Sequence, residues 1–408
     1  MPDPIVIAGA SLAGLRAAEA LRLGGYDGPL TIVGAEPHRP YDRPPLSKQV
    51  LTGDKPPEST SLPEPEGLDA EWVLGQPATG LDLERRRVLT AGGDIAFDGL
   101  VVATGAHPKI LPPFPPGPGV HYLRTLDDSI ALRDDLSGSR GLVVVGAGFI
   151  GLEVASSAQK LGVPVVVVEA LPVPLERGLG PDMGRAVGEW LRSKGVDLRL
   201  GTGVEGLVGD GQAGGGLAGG RRPSSVLLSD GTEVEADTVV VGIGVAPSTE
   251  WLGSSGVDLG DGVVCDESLR VLAGGRPLPG VVAAGDVARW FHRGYGETVR
   301  IEHWTNASEA AEAAAATLLA DRGGGTAEAF APTPYFWSDQ QGVKLQFVGR
   351  AMPGDDTTVV EGSFDEDRVL VAYGRAGRLV GALGIKRPAR VMAFQRMIAA
   401  GEAYPPAE

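Results

Sequence analysis

The stretch Val143-Val144-Val145-Gly146-Ala147-Gly148-Phe149-Ile150-Gly151 decides the fold of this chain, because a β-branched run passes there into a glycine pattern that opens an Ala/Leu-rich helical stretch. An earlier copy, Ile5-Val6-Ile7-Ala8-Gly9-Ala10-Ser11-Leu12-Ala13-Gly14, has the same layout. In this context the glycines let the backbone approach a pyrophosphate, whose charge then rests on N–H groups at the positive end of a helix. Either pattern alone also fits an ordinary strand-to-helix turn, since glycine serves tight turns that bind nothing.

The strands that follow separate a phosphate site from a plain turn. Both end in an acid, Thr31-Ile32-Val33-Gly34-Ala35-Glu36 and Val165-Val166-Val167-Val168-Glu169. A carboxylate there can accept both hydroxyls of an adenosine ribose, or it can be a solvated strand end. Glu169 would repel the extra phosphate of NADPH, and no arginine immediately follows it, which favours NADH. Arg177, eight residues on, is still able to reach a phosphate. In the first turn Ser11 stands where the second glycine normally allows closest approach, but serine is small and its hydroxyl can donate to a phosphate. Far downstream, a small apolar strand over 281–284 runs into Gly285-Asp286. An aspartate so placed can accept from a ribityl hydroxyl of FAD, cap a helix, or do both. Together these parts form the layout of a flavoprotein that takes hydride from a nicotinamide.

Bulk properties exclude several classes. A chain of 408 residues with 43% apolar composition can bury two or three cores. The net charge of −16 argues against nucleic acid or an anionic membrane as partner, because phosphate neutralisation needs a basic face. No apolar run approaches the ~18 residues of a membrane span, and the best candidate, 307–320, is broken by Glu309 and Glu312. Met1-Pro2-Asp3-Pro4 passes straight into the first strand without a signal peptide, so a cytoplasmic location is expected. Cys265 is the only cysteine, which rules out an internal disulfide and a cysteine metal cage; no metal site is expected. Its strand-like surroundings suit a small buried thiol. The region after the second strand reads Pro40-Tyr41-Asp42-Arg43-Pro44-Pro45-Leu46-Ser47-Lys48, so electrons must leave the flavin without a cysteine relay.

Strands and helices alternate over 4–105, ending in Leu100-Val101-Val102-Ala103-Thr104-Gly105, and the proline-dense segment 112–116 reads as a stiff connector. A second unit follows, with a helix over 182–194, a strand over 197–200 and a mobile glycine-rich hairpin loop over 209–223. The run Thr238-Val239-Val240-Val241-Gly242-Ile243-Gly244 repeats the strand-then-glycine exit and returns the chain to the first unit. A helix over 305–320 is expected, capped by Thr305 or Asn306 with Glu309 in its first turn. From about 330 onward strands dominate (335–337, 344–348, 368–373 and 379–385) until Pro388 starts a last helix. The expected domains are 1–112 with 238–328 for FAD, 113–237 for NAD, and a C-terminal α+β domain over 329–408.

With these pieces in order, residues 4–400 resemble the FAD-dependent ferredoxin reductases of bacterial oxygenase systems, the putidaredoxin reductase and rubredoxin reductase type. The likeness rests on Tyr41-Asp42-Arg43-Pro44-Pro45-Leu46-Ser47-Lys48, the run from Gly146 to Glu153, Gly285-Asp286, Glu302-His303-Trp304 and Phe336-Trp337-Ser338-Asp339-Gln340. It implies an α/β, glutathione-reductase-like flavoprotein with two dinucleotide domains and a C-terminal α+β domain that helps form the flavin-side docking face. It also implies that Lys48 lies near flavin N5 and pairs with Glu153, that Arg43 and Trp304 contact the flavin, and that Trp337 stands near it. Read without the family, Lys48 is a solvated loop charge, Glu153 an exposed helix residue, and Trp337 a core filler.

The resemblance further implies that electrons leave to an iron–sulfur ferredoxin. Between 374 and 396 six basic residues, Arg375, Arg378, Lys386, Arg387, Arg390 and Arg396, occur without an acid. They can form a dock for an acidic ferredoxin on an otherwise repelling surface, or the solvated face of a last helix. The same parts also serve an NADH oxidase or quinone reductase, and a redox-sensing flavoprotein.

Overall fold

The computed structural model describes residues 3–209, 212–213 and 222–406, so most of the loop expected over 209–223 lies outside the described residues. The chain forms two compact units. One comprises Met1–Asp42, Thr60–His107 and Val245–Pro334; the other comprises Arg43–Ser59, Pro108–Gly244 and Tyr335–Glu408. Two segments, the Leu-Ser-Lys run and the C-terminal sheet, therefore group with the second glycine pattern.

In the first unit the strand Ile5–Ala8 is buried along its length, as expected for a β-branched run covered on both faces. It pairs in parallel with Leu30–Val33 on one side and Gly99–Val102 on the other. The sheet continues past Gly99–Val102 to the strand Arg276–Ala283, again in parallel. Strand order thus diverges from Ile5–Ala8, and ligands of such sheets sit beyond the carboxyl end of that strand. The helix Leu12–Leu23 starts at this point. Gly285–Val287 forms a short 3-10 turn after Ala284, so Asp286 lies inside a turn and does not cap a longer helix. Next comes the helix Trp304–Gly323, whose N-cap is His303. It was expected to be capped by Thr305 or Asn306. The helix starts one residue earlier than expected, so Thr305 and Asn306 lie inside its first turn, where the Asn306 amide donates back to the Ile301 carbonyl at 2.9 Å.

The second unit repeats the plan. Leu142–Val145 pairs in parallel with Val165–Glu169 and with Thr238–Val241, and the helix Phe149–Lys160 follows. The helix Glu176–Ser193 starts earlier than its expected 182–194 span, and its axis breaks at Gly180, where φ is 77° just before Pro181. Phe114, inside the proline segment read as a connector, is fully buried in this unit's core with Val143 and Val239. The five C-terminal strands run antiparallel in the order Tyr335–Gln340, Val343–Gly349, Arg378–Ile385, Arg368–Arg375, Asp356–Ser363. Phe394 and Val391 from the helix Pro388–Ala400 join Val348 and Leu370 in its core.

Candidate functional site

Both glycine turns are built by the same backbone contacts. Gly9 N–H donates to the Val33 carbonyl and Gly146 N–H to that of Val168, each at 2.8 Å. A Cβ on Gly9 would overlap the Ala103 carbonyl oxygen, and one on Gly14 would overlap the carbonyl of Gly9. Likewise a Cβ on Gly146 would strike the Gly242 carbonyl, and one on Gly151 that of Gly146. Gly9 and Gly146 also hold φ of +129° and +103°, which side-chain-bearing residues rarely adopt.

The helices that leave these turns have N-caps Ser11 and Gly148, neither makes a side-chain cap, and neither helix carries an acid in its first turn. The helix Leu126–Leu136 contrasts with them, since Thr125 and Asp128 close a complete capping box there. First-turn N–H groups left without a cap by their own sequence suit an anionic ligand. The two turns therefore fit the pyrophosphates of FAD and of a nicotinamide dinucleotide.

In the first unit the structure gathers Gly9, Ser11, Ala13 and Gly14 with residues from three other segments. Gly285 packs against Ala13 and Ala307, close enough that a Cβ on it would lie 3.1 Å from the Ala13 methyl. Glu36 is half-buried and accepts a hydrogen bond from the buried Tyr41 hydroxyl. Neighbouring Asp42 accepts from the Trp304 indole N–H at 2.7 Å, which ties the Tyr-Asp-Arg segment to the head of the helix Trp304–Gly323. Burial holds the His303 imidazole down to about 4, with Asp286 opposing the shift. Glu302 is exposed and pairs with Arg300 at 2.6 Å. The Thr104 hydroxyl donates to the Ser248 carbonyl at 2.8 Å.

In the second unit Glu169 accepts from the Ala147 N–H at 2.8 Å and from the Leu171 N–H at 2.9 Å. It is a brace of the turn itself, and a half-buried one rather than a freely solvated strand end. Ile150 exposes 42% of its surface on the first helical turn. Arg177 is exposed, and its guanidinium lies 3.9 Å from where a Cβ on Gly244 would stand. Arg43 donates to the Arg124 carbonyl at 2.5 Å.

Lys48 and Glu153 meet although 105 residues separate them: Nζ lies 2.6 Å from Oε2, with both side chains nearly buried. Solvated readings of these two charges are thereby corrected. Lys48 also donates to the Pro44 carbonyl at 2.9 Å, and the Ser47 hydroxyl donates to Glu153 at 2.6 Å. Breaking such a buried pair by removing one partner costs about 3–5 kcal/mol. Trp337 is half-buried, with the Lys344 ammonium 5.5 Å from its ring centre.

The basic run near the C-terminus divides into two groups. Arg375 is bound in a fork by the buried Asp355, at 2.6 and 2.8 Å. Arg387 is only 7% exposed and pairs with Glu361 at 3.0 Å, so it does not offer a charge to solvent as its place in the run suggested. Arg378, Lys386, Arg390 and Arg396 are exposed. Ser47, Tyr41 and Ser338 are contributors that sequence reasoning did not single out. Their motifs were recognised, but neutral hydroxyls in a loop or strand carry no signal of a distant charged partner.

Comparison with known proteins gives the family. The pyridine nucleotide-disulphide oxidoreductase model matches residues 3–311, and the reductase C-terminal model matches 335–408. Rhodocoxin reductase of Rhodococcus erythropolis is 38% identical over 403 residues, covering 97% of this chain and 89% of that protein. The anthranilate 1,2-dioxygenase system ferredoxin–NAD(+) reductase component of Burkholderia cepacia is 36% identical, covering 98% of this chain and 95% of that protein. The crystal structure of a covalent putidaredoxin reductase–putidaredoxin complex superposes with a TM-score of 0.88 at 32% identity, covering 98% of this chain and 93% of that one. With one cysteine in the whole chain, the disulphide chemistry in the family's title has no counterpart here. This chain belongs to the pyridine nucleotide-disulphide oxidoreductase family, among the FAD-dependent ferredoxin reductases of bacterial oxygenase systems.

Proposed function

We propose that this protein moves electrons from NADH through FAD to an iron–sulfur ferredoxin that supplies a monooxygenase or dioxygenase. The observation that carries the reading is the pair of glycine turns whose helices lack side-chain caps, the second braced by Glu169 and the first followed by Glu36 on Tyr41. Gly9, Ser11, Ala13, Gly14, Glu36, Thr104, Gly285, Asp286, Glu302, His303 and Trp304 serve FAD, joined by Arg43 and Trp337. Gly146, Gly148, Ile150, Gly151, Glu169, Arg177 and Gly244 serve the nicotinamide dinucleotide, with Glu169 disfavouring a 2′-phosphate. FAD held there would supply hydride acceptance and one-electron release. Lys48, oriented by Glu153, presents a fixed ammonium that favours negative charge on a neighbouring ring in a dry site.

The functional domains in this reading are 1–112 with 238–328, 113–237, and 329–408. The partner is an acidic ferredoxin that docks on Arg378, Lys386, Arg390 and Arg396, while Arg375 and Arg387 hold the surface in shape through Asp355 and Glu361. A cytoplasmic protein fits the reading, and no described helix is long and apolar enough to cross a membrane. The test is anaerobic addition of NADH to the flavin-loaded chain, followed by turnover with and without an iron–sulfur ferredoxin. Bleaching of the flavin and a ferredoxin-dependent rate are expected. NADH consumption by oxygen alone at the same rate would favour an oxidase, and a protein that binds no flavin would end the case.

A further inference from the structure

Glu153 is the meeting point of a hydrogen-bond chain that starts in the C-terminal sheet. On the strand Tyr335–Gln340 the side chains of Ser338 and Gln340 share one face, because alternate residues of a strand point the same way. Both are fully buried. The Gln340 amide donates to the Ser338 oxygen at 2.8 Å, and the Ser338 hydroxyl donates to Glu153 Oε1 at 2.5 Å. Gln340 is itself held at 3.3 Å by the carbonyl of Phe149, the first residue of the helix that carries Glu153. Asp339 N–H adds a fourth donor to the carboxylate at 3.3 Å, beside Ser338, Ser47 and Lys48.

We propose that Ser338 and Gln340 are positioning residues that hold the Lys48 ammonium in place through Glu153. A serine has one proton to give. With its oxygen already accepting from Gln340, that proton is directed at Glu153, and the carboxylate is turned so that Oε2 faces Lys48. In a buried setting each such bond is worth more than in water, and the loss of one leaves a group poorly satisfied. The C-terminal sheet thereby sets the charge next to the reacting ring without touching it. This rests on the reading that Lys48 lies beside the bound flavin.

The experiment is a spectroelectrochemical titration of the FAD-loaded full chain, with FAD content and unfolding temperature measured alongside. Ser338→Ala is expected to retain FAD and to lower the ratio of reduced to oxidised flavin at a fixed potential by about tenfold, a fall of about 30 mV for a two-electron couple. Ser338→Thr keeps the hydroxyl and should restore the native potential, and Gln340→Leu should shift it less, in the same direction. If Ser338→Ala does not fold, Ser338→Cys, with a weaker donor of similar size, must lower the potential. An unchanged potential in the folded variant overturns the proposal, even where stability drops. Lys48→Met separates the two layers: if it too leaves the potential unchanged, the placement of Lys48 beside the flavin fails, whereas a shift there with none in the Ser338 variant sinks only the relay.

Discussion

The two glycine turns of this chain differ at the position where closest approach to a pyrophosphate is expected, Ser11 in the first and Gly148 in the second. Yet both residues are helix N-caps with negative φ, −111° and −80°. A Cβ on Gly148 would find only the Gly242 oxygen, at 3.9 Å. The protein around this position therefore tolerates a side chain, and the departure at Ser11 costs the fold nothing. The outer glycines differ in kind, because backbone oxygens occupy the space a Cβ would take. The acids differ as well. Glu36 accepts from the Tyr41 phenol five residues on, whereas Glu169 accepts from backbone N–H groups of its own turn. The sequence likeness of the two acids thus does not extend to their partners: Glu169 braces its turn, and Glu36 meets a phenol.

The largest effects should come from the outer glycines. Gly14→Val forces a side chain into the Gly9 carbonyl and should yield protein without flavin, while Gly151→Val should keep its flavin and lose bleaching by NADH. Each substitution is expected to cost more than about 4 kcal/mol at its own turn. Absorbance spectra before and after NADH check both, and loss of flavin in the Gly151 variant would show that the turns do not act separately.

Next in size is Glu169→Arg. Removing a brace that accepts two backbone bonds while adding a cation should weaken NADH by roughly 10- to 100-fold and narrow the gap to NADPH. Steady-state KM values for the two dinucleotides test this, and unchanged selectivity would mean that the carboxylate serves the turn alone. The equivalent change at Glu36 should act on flavin content only.

Reversing the exposed charges Arg378, Lys386 and Arg396 to Glu leaves both turns intact. It should raise KM for ferredoxin about tenfold, more at low salt, without altering ferricyanide reduction. Arg387→Glu should lower stability instead, because it sets a second carboxylate against Glu361 beside a buried site. Equal losses with ferredoxin and ferricyanide would place the dock elsewhere.

The smallest effect titrates the first site alone. His303 is held near 4 in the folded chain against 6.5 ordinarily, so the unfolded chain binds more protons between these values. Stability should therefore fall as pH drops from 6.5 to about 4. Denaturant midpoints of the native chain and of His303→Asn across this window should converge at low pH if the assignment holds.

Several elements were legible from local chemistry. The buried strands Ile5–Ala8 and Leu142–Val145, the turns after them and the final helix at Pro388 follow from β-branched runs, glycine and proline. The edge strand Asp356–Ser363 was not, because Asp-Thr-Thr-Val-Val-Glu-Gly-Ser shows no apolar alternation. Missing that strand hid Glu361, and with it the reason Arg387 is buried. Cap residues of the helix Trp304–Gly323 were misplaced because the helix begins at Trp304, whose indole is tied to Asp42 far back in the chain, so Thr305 and Asn306 fall inside its first turn.

The amino-acid order by itself determined where this backbone bends sharply, which strands lie inside a sheet and which acids close the turns, because those properties depend on residues adjacent along the chain. Which charges are buried, and by whom they are held, was decided only in three dimensions. Lys48, Glu153 and Ser338 come from segments 105 and 185 residues apart, and the worth of a charge or hydroxyl is set by the groups folded against it.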